Sequence, residues 1–220
     1  MEVRSVRIDI STVEEGKGRY IEGDLVLSSH RECMVVFAHG SGSSRFSPRN
    51  RFVAGVLNGA GLSTLMLDLL TREEDAADST GRYRFDIELL ASRLVDAVTW
   101  LERLIGQDLR IGYFGASTGA AAALIAYTRY PRYVRAIVLR GGRVDLATPY
   151  LSKISAPTLL LVGGYDTPVL RLNREAMGRF KGDCTVRLEV IPSATHLFEE
   201  PGALEQVADK AREWFIRYLL

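Results

Sequence analysis

The sequence of 220 residues has little cysteine and little histidine, with two residues of the first and three of the second. Cys33 and Cys184 lie far apart and match neither a metal-ligand spacing nor a redox motif. We therefore expect two reduced thiols in the core of a cytoplasmic protein, and neither a disulfide nor a metal site.

The sequence also lacks long apolar runs and an excess of charge of one sign. No segment reaches the roughly 18 apolar residues of a membrane helix, and Met1–Ile10 alternates charged and apolar residues, unlike a signal peptide. Because 28 basic residues nearly balance 27 acidic ones, no clustered basic surface for nucleic acid or an anionic membrane is expected. The expected partner is a small molecule. A homodimer is a further expectation, although no sequence feature indicates one.

Two early segments, Val3–Ile10 and Tyr20–Leu27, alternate apolar and polar residues on either side of a turn at Glu14–Gly18. This pattern predicts an antiparallel hairpin at a sheet edge.

Six continuous apolar runs follow, and they alternate with helical patterns. The predicted strands are Cys33–Ala38, Leu62–Leu67, Leu109–Phe114, Val134–Leu139, Thr158–Val162 and Val186–Ile191. The predicted helices are Pro48–Ala60, Phe85–Leu104, Ser117–Tyr130, Pro168–Phe180 and Ala203–Leu220. This order predicts one α/β domain over residues 1–220, with an eight-stranded, mostly parallel sheet and helices on both faces. Functional residues are expected at the carboxyl ends of the strands.

The motif Gly115-Ala116-Ser117-Thr118-Gly119 follows the third parallel strand and begins a helix. In this G-x-S-x-G arrangement, a tight turn exposes the serine hydroxyl at the edge of the sheet, and the helix N-terminus favours developing negative charge. The motif therefore indicates Ser117 as a nucleophile. The alternative is a packing turn with an idle serine.

A serine nucleophile needs a general base, and the three histidines can be compared by position. His30 lies in a polar turn on the opposite side of the sheet, and His39 is better placed to brace a loop. His196 follows the sixth apolar run at the catalytic end. Elimination and chain order therefore favour His196.

The base in turn needs an orienting carboxylate. Asp166 directly follows the fifth apolar run, and Asp145 follows the fourth, whereas Asp183 precedes a strand at the wrong end. The chain order serine, acid, histidine favours Asp166 and keeps Asp145 as the alternative.

An oxyanion hole needs two preorganised donors. The backbone N–H of Thr118 should supply one, and the loop His39–Ser44 the other, through Ser41 N–H or, as second choice, Gly42 N–H. Gly40 and Gly42 are candidate substrate-binding residues in the same loop. A phosphate cradle is the alternative for this loop, but it lacks the Gly-Lys-Ser/Thr ending of a P-loop.

Four segments together resemble the α/β-hydrolase superfamily, and more narrowly its small dienelactone-hydrolase-like proteins. They are Phe37–Ser43, Gly115–Ala120, Val162–Asp166 and Ala194–Pro201. The resemblance implies a triad of Ser117, Asp166 and His196. Dienelactone hydrolases proper use cysteine where this chain has Ser117, so simple carboxylic esters are the expected substrates. Some members of the group are joined to a phosphoribosyltransferase domain, and no such domain is expected within this sequence.

Two segments bear on the substrate. Arg140–Pro157 has room for only one short helix, Asp145–Leu151, so we expect no cap domain and a shallow site for small or short-chain esters.

Thr71–Arg84 is charged and lacks apolar periodicity. It is interpreted either as a mobile flap beside the site or as a solvated loop with internal Arg–carboxylate pairs.

Arg140 and Arg143 leave the fourth parallel strand at the catalytic edge. Either could bind a substrate carboxylate, and Arg143 is the candidate substrate-binding residue. The favoured alternative is a salt bridge to Asp145 or Asp68.

These features predict ester hydrolysis through an acyl-enzyme, with no metal or organic cofactor. Thioesterase, acyltransferase, peptidase and perhydrolase activities use the same fold and stay open. A binding module that has kept the fold without catalysis is the alternative from a different class.

Overall fold

A computed structural model describes residues 2–11 and 18–220. The predicted turn at Glu14–Gly18 therefore lies almost wholly outside the described residues. The strands are β1 Val3–Asp9, β2 Tyr20–Val26, β3 His30–Ala38, β4 Leu62–Leu67, β5 Arg110–Ala116, β6 Val134–Arg140, β7 Thr158–Gly163 and β8 Val186–Ile191. The helices are α1 Pro48–Gly59, α2 Arg72–Ala77, α3 Ile87–Ile105, α4 Thr118–Arg129, α5 Thr167–Met177 and α6 Ala203–Leu219, and a 3₁₀ helix spans Val144–Lys153.

The strands form one sheet in the order β1-β2-β4-β3-β5-β6-β7-β8. The pairs β1–β2 and β2–β4 are antiparallel. The five pairs that follow in the sheet, from β4–β3 to β7–β8, are parallel. Helices α1 and α6 pack on one face, whereas α3, α4 and the 3₁₀ helix pack on the other. The predicted eight-stranded α/β fold is confirmed, with the hairpin at one edge.

The central strands are buried on both faces, as their continuous apolar sequences predict. All residues of β4 and β7 are buried. Strand β8 differs, because it is the outer strand beside β7 and only Ile191 of its six residues is buried. Its sequence alternates Val, Arg, Leu and Glu, which is typical of an edge strand.

The segment Thr71–Arg84, for which no regular structure was predicted, contains a helix. Thr71 Oγ1 accepts the N–H of Glu74, and the Glu74 carboxylate accepts the N–H of Thr71, which makes a capping box at the start of α2. The expectation of an irregular segment is wrong because the pattern Thr-x-x-Glu at 71–74 is itself a helix-start signal, and it acts without apolar periodicity.

Between β6 and β7 the chain forms only the 3₁₀ helix Val144–Lys153. The predicted short helix at Asp145–Leu151 lies within it. The connection between β6 and β7 contains no cap domain. It therefore adds no layer over the carboxyl ends of β5, β6 and β7. Among the described residues, none of the helices is both long enough and apolar enough to cross a membrane.

Candidate active site

Ser117 lies in the turn between β5 and α4, with φ 50° and ψ −120°. A non-glycine residue rarely adopts positive φ, and such strained conformations are concentrated at functional sites. The turn is held from both sides, because Ser117 N–H donates to Arg140 O at 3.2 Å and Ser117 O accepts Arg143 N–H at 3.0 Å. The strand–turn–helix context predicted from G-x-S-x-G is therefore present.

The two glycines of the motif allow close approach of backbone. A Cβ at Gly119 would lie 2.3 Å from Ala38 O, and a Cβ at Gly115 would lie 2.7 Å from the Cα of Ala120. Any side chain at Gly119 would therefore push α4 away from the end of β3, the strand that leads into the His39–Ser44 loop. The glycines keep Ser117 beside that loop.

His196 and Asp166 are joined by a hydrogen bond of 2.6 Å between Nδ1 and Oδ2. Asp166 immediately precedes α5, and His196 lies in the loop after β8. Tyr165 N–H donates to Ala194 O at 2.9 Å, which ties the two loops together. With its Nδ1–H directed to the carboxylate, the imidazole presents Nε2 as an acceptor.

The alternative acid, Asp145, contacts a different residue. Its two carboxylate oxygens accept from the guanidinium of Arg143 at 2.9 and 2.8 Å. This bidentate pair raises the pKa of Arg143, with the hydrogen bond to Asp145 as the main cause. For Arg143 the structure shows the favoured alternative, a salt bridge to Asp145.

Ser117 Oγ and His196 are not hydrogen-bonded to each other, although both belong to the described part of the chain. Catalytic hydrogen bonds without substrate are often long and shorten in the complex. The structure thus brings His196 and Asp166 into contact and places Ser117 on the neighbouring turn at the same sheet edge.

The loop after β3 approaches Ser117 through Gly40, where a Cβ would lie 3.0 Å from the Cβ of Ser117. Ser41 N–H, the first-choice oxyanion donor, donates to Thr118 Oγ1 at 2.8 Å. Gly42, the second choice, has φ 73°, and Ser43 N–H donates back to Gly40 O at 3.1 Å. The loop is therefore a tight turn fastened to the first residue of α4.

His39 braces this loop, as its position in the sequence suggested. Its Nδ1 contacts Gly40 O at 2.9 Å, and its Nε2 contacts the N–H of Leu69 at 3.1 Å. Because a carbonyl accepts and an N–H donates, the ring must be neutral with its proton on Nδ1. Burial is the main cause that lowers the pKa of His39, and the hydrogen bond to Gly40 and the charges of Asp68 and Asp75 oppose it.

This lowered pKa predicts a pH dependence of stability. The unfolded chain protonates this histidine below about pH 6.5, whereas the folded chain resists protonation. Stability from His39 is therefore complete above that pH and is lost as the pH falls below it, by at most about 1.4 kcal/mol per unit. Urea unfolding should be measured at about pH 7.5 and pH 5. The free energy of unfolding should decrease less between these pH values in His39→Asn than in the wild type. His30→Asn, at an exposed histidine, is the matched control. An equal decrease in the free energy of unfolding in wild type and His39→Asn would show that His39 does not cause the pH dependence.

Arg140 ends β6 and is buried, with 7% of its surface exposed. Its guanidinium donates to Asn50 Oδ1 at 3.4 Å and lies 5.7 Å from the ring centre of Phe198, in the loop that carries His196. No salt bridge to Arg140 is found within the described ranges, so the alternative of an ion pair is wrong for this residue. Burial, with the nearby charge of Arg49, lowers the pKa of Arg140 to about 10.

A cavity of about 390 Å³ lies beside the His39–Ser44 loop. The loop residues from His39 to Phe46 form one wall, and the segment after β4 forms another through Leu70, Thr71, Asp75 and Arg84. Ser117 and His196 do not line it, but Gly40, which does, lies next to Ser117: a Cβ on Gly40 would lie 3.0 Å from the Cβ of Ser117. The sequence did not predict this cavity, since the segments that enclose it are far apart in the chain.

The Thr71–Arg84 segment that borders this cavity is held internally. The buried carboxylate of Asp78 accepts the backbone N–H groups of Tyr83 and Arg84 and the Nε of Arg84, the last at 2.7 Å. The alternative of internal Arg–carboxylate pairs is therefore observed. Movement of the segment as a flap stays a prediction.

The remaining predictions concern residues away from this edge. His30 lies at the opposite end of β3 and is exposed. Both cysteines are free, with Cys33 buried and Cys184 partly buried. Within the described ranges, no group of three or more His, Cys, Asp or Glu side chains could hold a metal ion.

Comparison with known proteins extends these observations. No protein-family model matches the chain. The crystal structure of a dienelactone hydrolase from Anabaena variabilis is 51% identical, with a TM-score of 0.93 over 100% of this chain and 99% of that one. An esterase of Pyrococcus furiosus, 21% identical with a TM-score of 0.80 over 100% of this chain and 94% of that one, shares the fold.

Two curated sequences from Mycobacterium tuberculosis strains, each named "Putative phosphoribosyl transferase", are 54% identical over 200 residues. The match covers 90% of this chain but 44% of each relative, so this chain spans less than half of their length.

The fold and these likenesses place the chain among proteins of the α/β-hydrolase fold. Identity of 51% across nearly the whole length of the Anabaena protein narrows the assignment. The chain belongs to the dienelactone-hydrolase-like family of α/β hydrolases.

Proposed function

We propose that this protein is a serine-dependent esterase that cleaves small or short-chain carboxylic esters through an acyl-enzyme. The observation that carries the proposal is the 2.6 Å bond between His196 Nδ1 and Asp166 Oδ2, at the sheet edge where Ser117 lies in a strained turn. Ester chemistry is also supported by the Anabaena relative, named as a dienelactone hydrolase, because a lactone is a cyclic ester.

In the proposed reaction, Ser117 Oγ attacks the ester carbonyl carbon while His196 Nε2 takes the hydroxyl proton. Asp166 stabilises the imidazolium through its bond to Nδ1. The carbonyl oxygen gains the electron pair of the broken π bond and is held by the N–H of Thr118 and by an N–H of the Ser41–Gly42 turn. His196 then returns the proton to the leaving alcohol, and a water activated by the same ring releases the acid. Every proton is transferred through His196, so this sequence requires no metal or organic cofactor.

The cavity beside the His39–Ser44 loop gives the substrate a place to bind. Leu70, Leu90 and Phe46 supply apolar lining. The three arginines that line it already contact carboxylates: Arg45 binds Glu22 and Asp68, Arg72 binds Glu22, and Arg84 binds Asp78. These pairs bring the net charge of the cavity lining close to zero, which favours the binding of uncharged esters. The proposed substrate is therefore a small neutral ester with part of its chain in this cavity.

A series of p-nitrophenyl esters from acetate to decanoate tests the proposal. We expect turnover by the wild type that is highest for short chains, and a loss of about 10⁴-fold or more in Ser117→Ala. Ser92→Ala, which removes a hydroxyl bonded to Leu89 O on α3, is the matched control and should keep full activity. Equal turnover in wild type and Ser117→Ala would remove Ser117 from the mechanism. Highest turnover with decanoate would overturn only the short-chain preference.

A further inference from the structure

Thr118 does more in the structure than supply the backbone N–H expected from the motif. Its side chain is almost completely buried, with 4% of the residue exposed. Its Oγ1 accepts Ser41 N–H at 2.8 Å. The hydroxyl therefore links the residue after Ser117 to the loop that carries the second oxyanion donor, although the two residues are 77 positions apart in the chain.

The proton of this hydroxyl has no acceptor in the residues described, 2–11 and 18–220. A threonine inside a helix usually donates to a carbonyl of the preceding turn, but Thr118 is the first residue of α4 and follows a strand. A buried hydroxyl that accepts without donating has an unsatisfied donor, which destabilises the folded state. Such a group close to a reactive serine is suited to bind an acceptor that arrives with the substrate.

The acceptor that chemistry supplies at this place is the carbonyl oxygen of the ester. When Ser117 Oγ bonds to the carbonyl carbon, that oxygen becomes an anion beside the N–H of Thr118. It would also meet Ser41 N–H, for which it is a stronger acceptor than a neutral hydroxyl. The Thr118 hydroxyl adjoins both donors, and its own free proton can turn toward the anion.

We propose that the Thr118 side-chain hydroxyl is a third donor of the oxyanion hole. Before the reaction it accepts Ser41 N–H and so positions the loop. In the tetrahedral intermediate it donates its proton in a hydrogen bond to the oxyanion, and the proton stays on Oγ1. This inference rests on the proposed esterase function and adds a catalytic side chain to it.

Two substitutions separate the hydroxyl from the shape of the side chain. Thr118→Val keeps the shape and removes the hydroxyl, whereas Thr118→Ser keeps the hydroxyl. Thr118→Val should lower kcat by about 10²-fold with KM nearly unchanged, because an oxyanion donor acts in the transition state. Thr118→Ser should stay within about fivefold of the wild type. Thr128→Val on the same helix, where the hydroxyl donates to Ile125 O, is the matched control and should leave kcat unchanged.

A trifluoromethyl ketone provides a readout that a general loss of structure would not reproduce. Its adduct with Ser117 carries an oxyanion, so its inhibition constant should rise in Thr118→Val by about the factor lost from kcat. Loss of kcat and of inhibitor affinity in Thr118→Val, with recovery of both in Thr118→Ser, is the expected result. Should Thr118→Val unfold, Thr118→Ala compared with Thr118→Ser tests the same hydroxyl.

Three outcomes would overturn parts of this account, and they can be told apart. Equal kcat in wild type and Thr118→Val would remove the hydroxyl from the oxyanion hole while the esterase function stands. A higher kcat in Thr118→Val would show that the hydroxyl competes for Ser41 N–H, which is the opposite of the proposal. Absence of ester turnover in the wild type would instead refute the esterase function, and with it this inference.

Discussion

Asp166→Asn should lower kcat for ester hydrolysis by about 10⁴-fold with little change in stability. The amide keeps the size of the carboxylate but cannot stabilise the imidazolium, and it favours the wrong tautomer of His196. The effect should be large because the bond between His196 Nδ1 and Asp166 Oδ2 is 2.6 Å long. Steady-state kinetics with p-nitrophenyl acetate, together with thermal unfolding, provides the measurement.

Asp145→Asn is the matched control for this prediction. Asp145 was the alternative acid in the sequence, but its carboxylate binds Arg143. We expect kcat to change by less than about threefold, since the pair is partly exposed. A larger loss in Asp145→Asn than in Asp166→Asn would contradict the assignment of the acid.

Glu74→Gln should destabilise the protein by about 3–5 kcal/mol, the usual effect of breaking one side of a buried ion pair. Glu74 is 2% exposed and Arg93 is completely buried, and their side chains contact at 2.6 Å between Oε1 and a guanidinium nitrogen. The substitution removes the negative charge from this contact with the buried Arg93 guanidinium. It also weakens the contact that fastens α2 to α3.

Urea unfolding measures this effect, with Glu73→Gln as the matched control. Glu73 is the exposed neighbour on the same helix, and its substitution should change stability by less than about 0.5 kcal/mol. The double variant Glu74→Leu, Arg93→Met should be more stable than Glu74→Gln, since it removes both charges. A loss below about 1 kcal/mol in Glu74→Gln would show that the pair does not stabilise the fold.

Local patterns were sufficient to predict the sheet and the turn at Ser117. Continuous apolar runs alternating with helical patterns indicated the central strands, which are covered on both faces, and G-x-S-x-G was informative because a predicted strand precedes it and a predicted helix follows it. Both signals are contained in short segments. The same holds for the start of α2, which the pattern Thr71-x-x-Glu74 marks without apolar periodicity.

Contacts between distant segments could not be predicted from these patterns. The partner of Ser41 N–H is a side chain 77 residues away. Arg140 could be placed at the catalytic edge, but only packing decides that it points at Asn50 and Phe198 rather than at a carboxylate. The cavity likewise forms where the loop after β3 meets the segment after β4. Such features depend on tertiary structure, and no periodic pattern in the sequence corresponds to them.

Covalent labelling tests directly whether Ser117 is an activated nucleophile. The wild type is treated with a fluorophosphonate, and the intact mass and the modified peptide are determined by mass spectrometry, with Ser117→Ala treated in parallel. One adduct per chain is expected, located on Ser117 and absent from Ser117→Ala. An unmodified wild type, or the same adduct in Ser117→Ala, would contradict the assignment of Ser117 as an activated nucleophile.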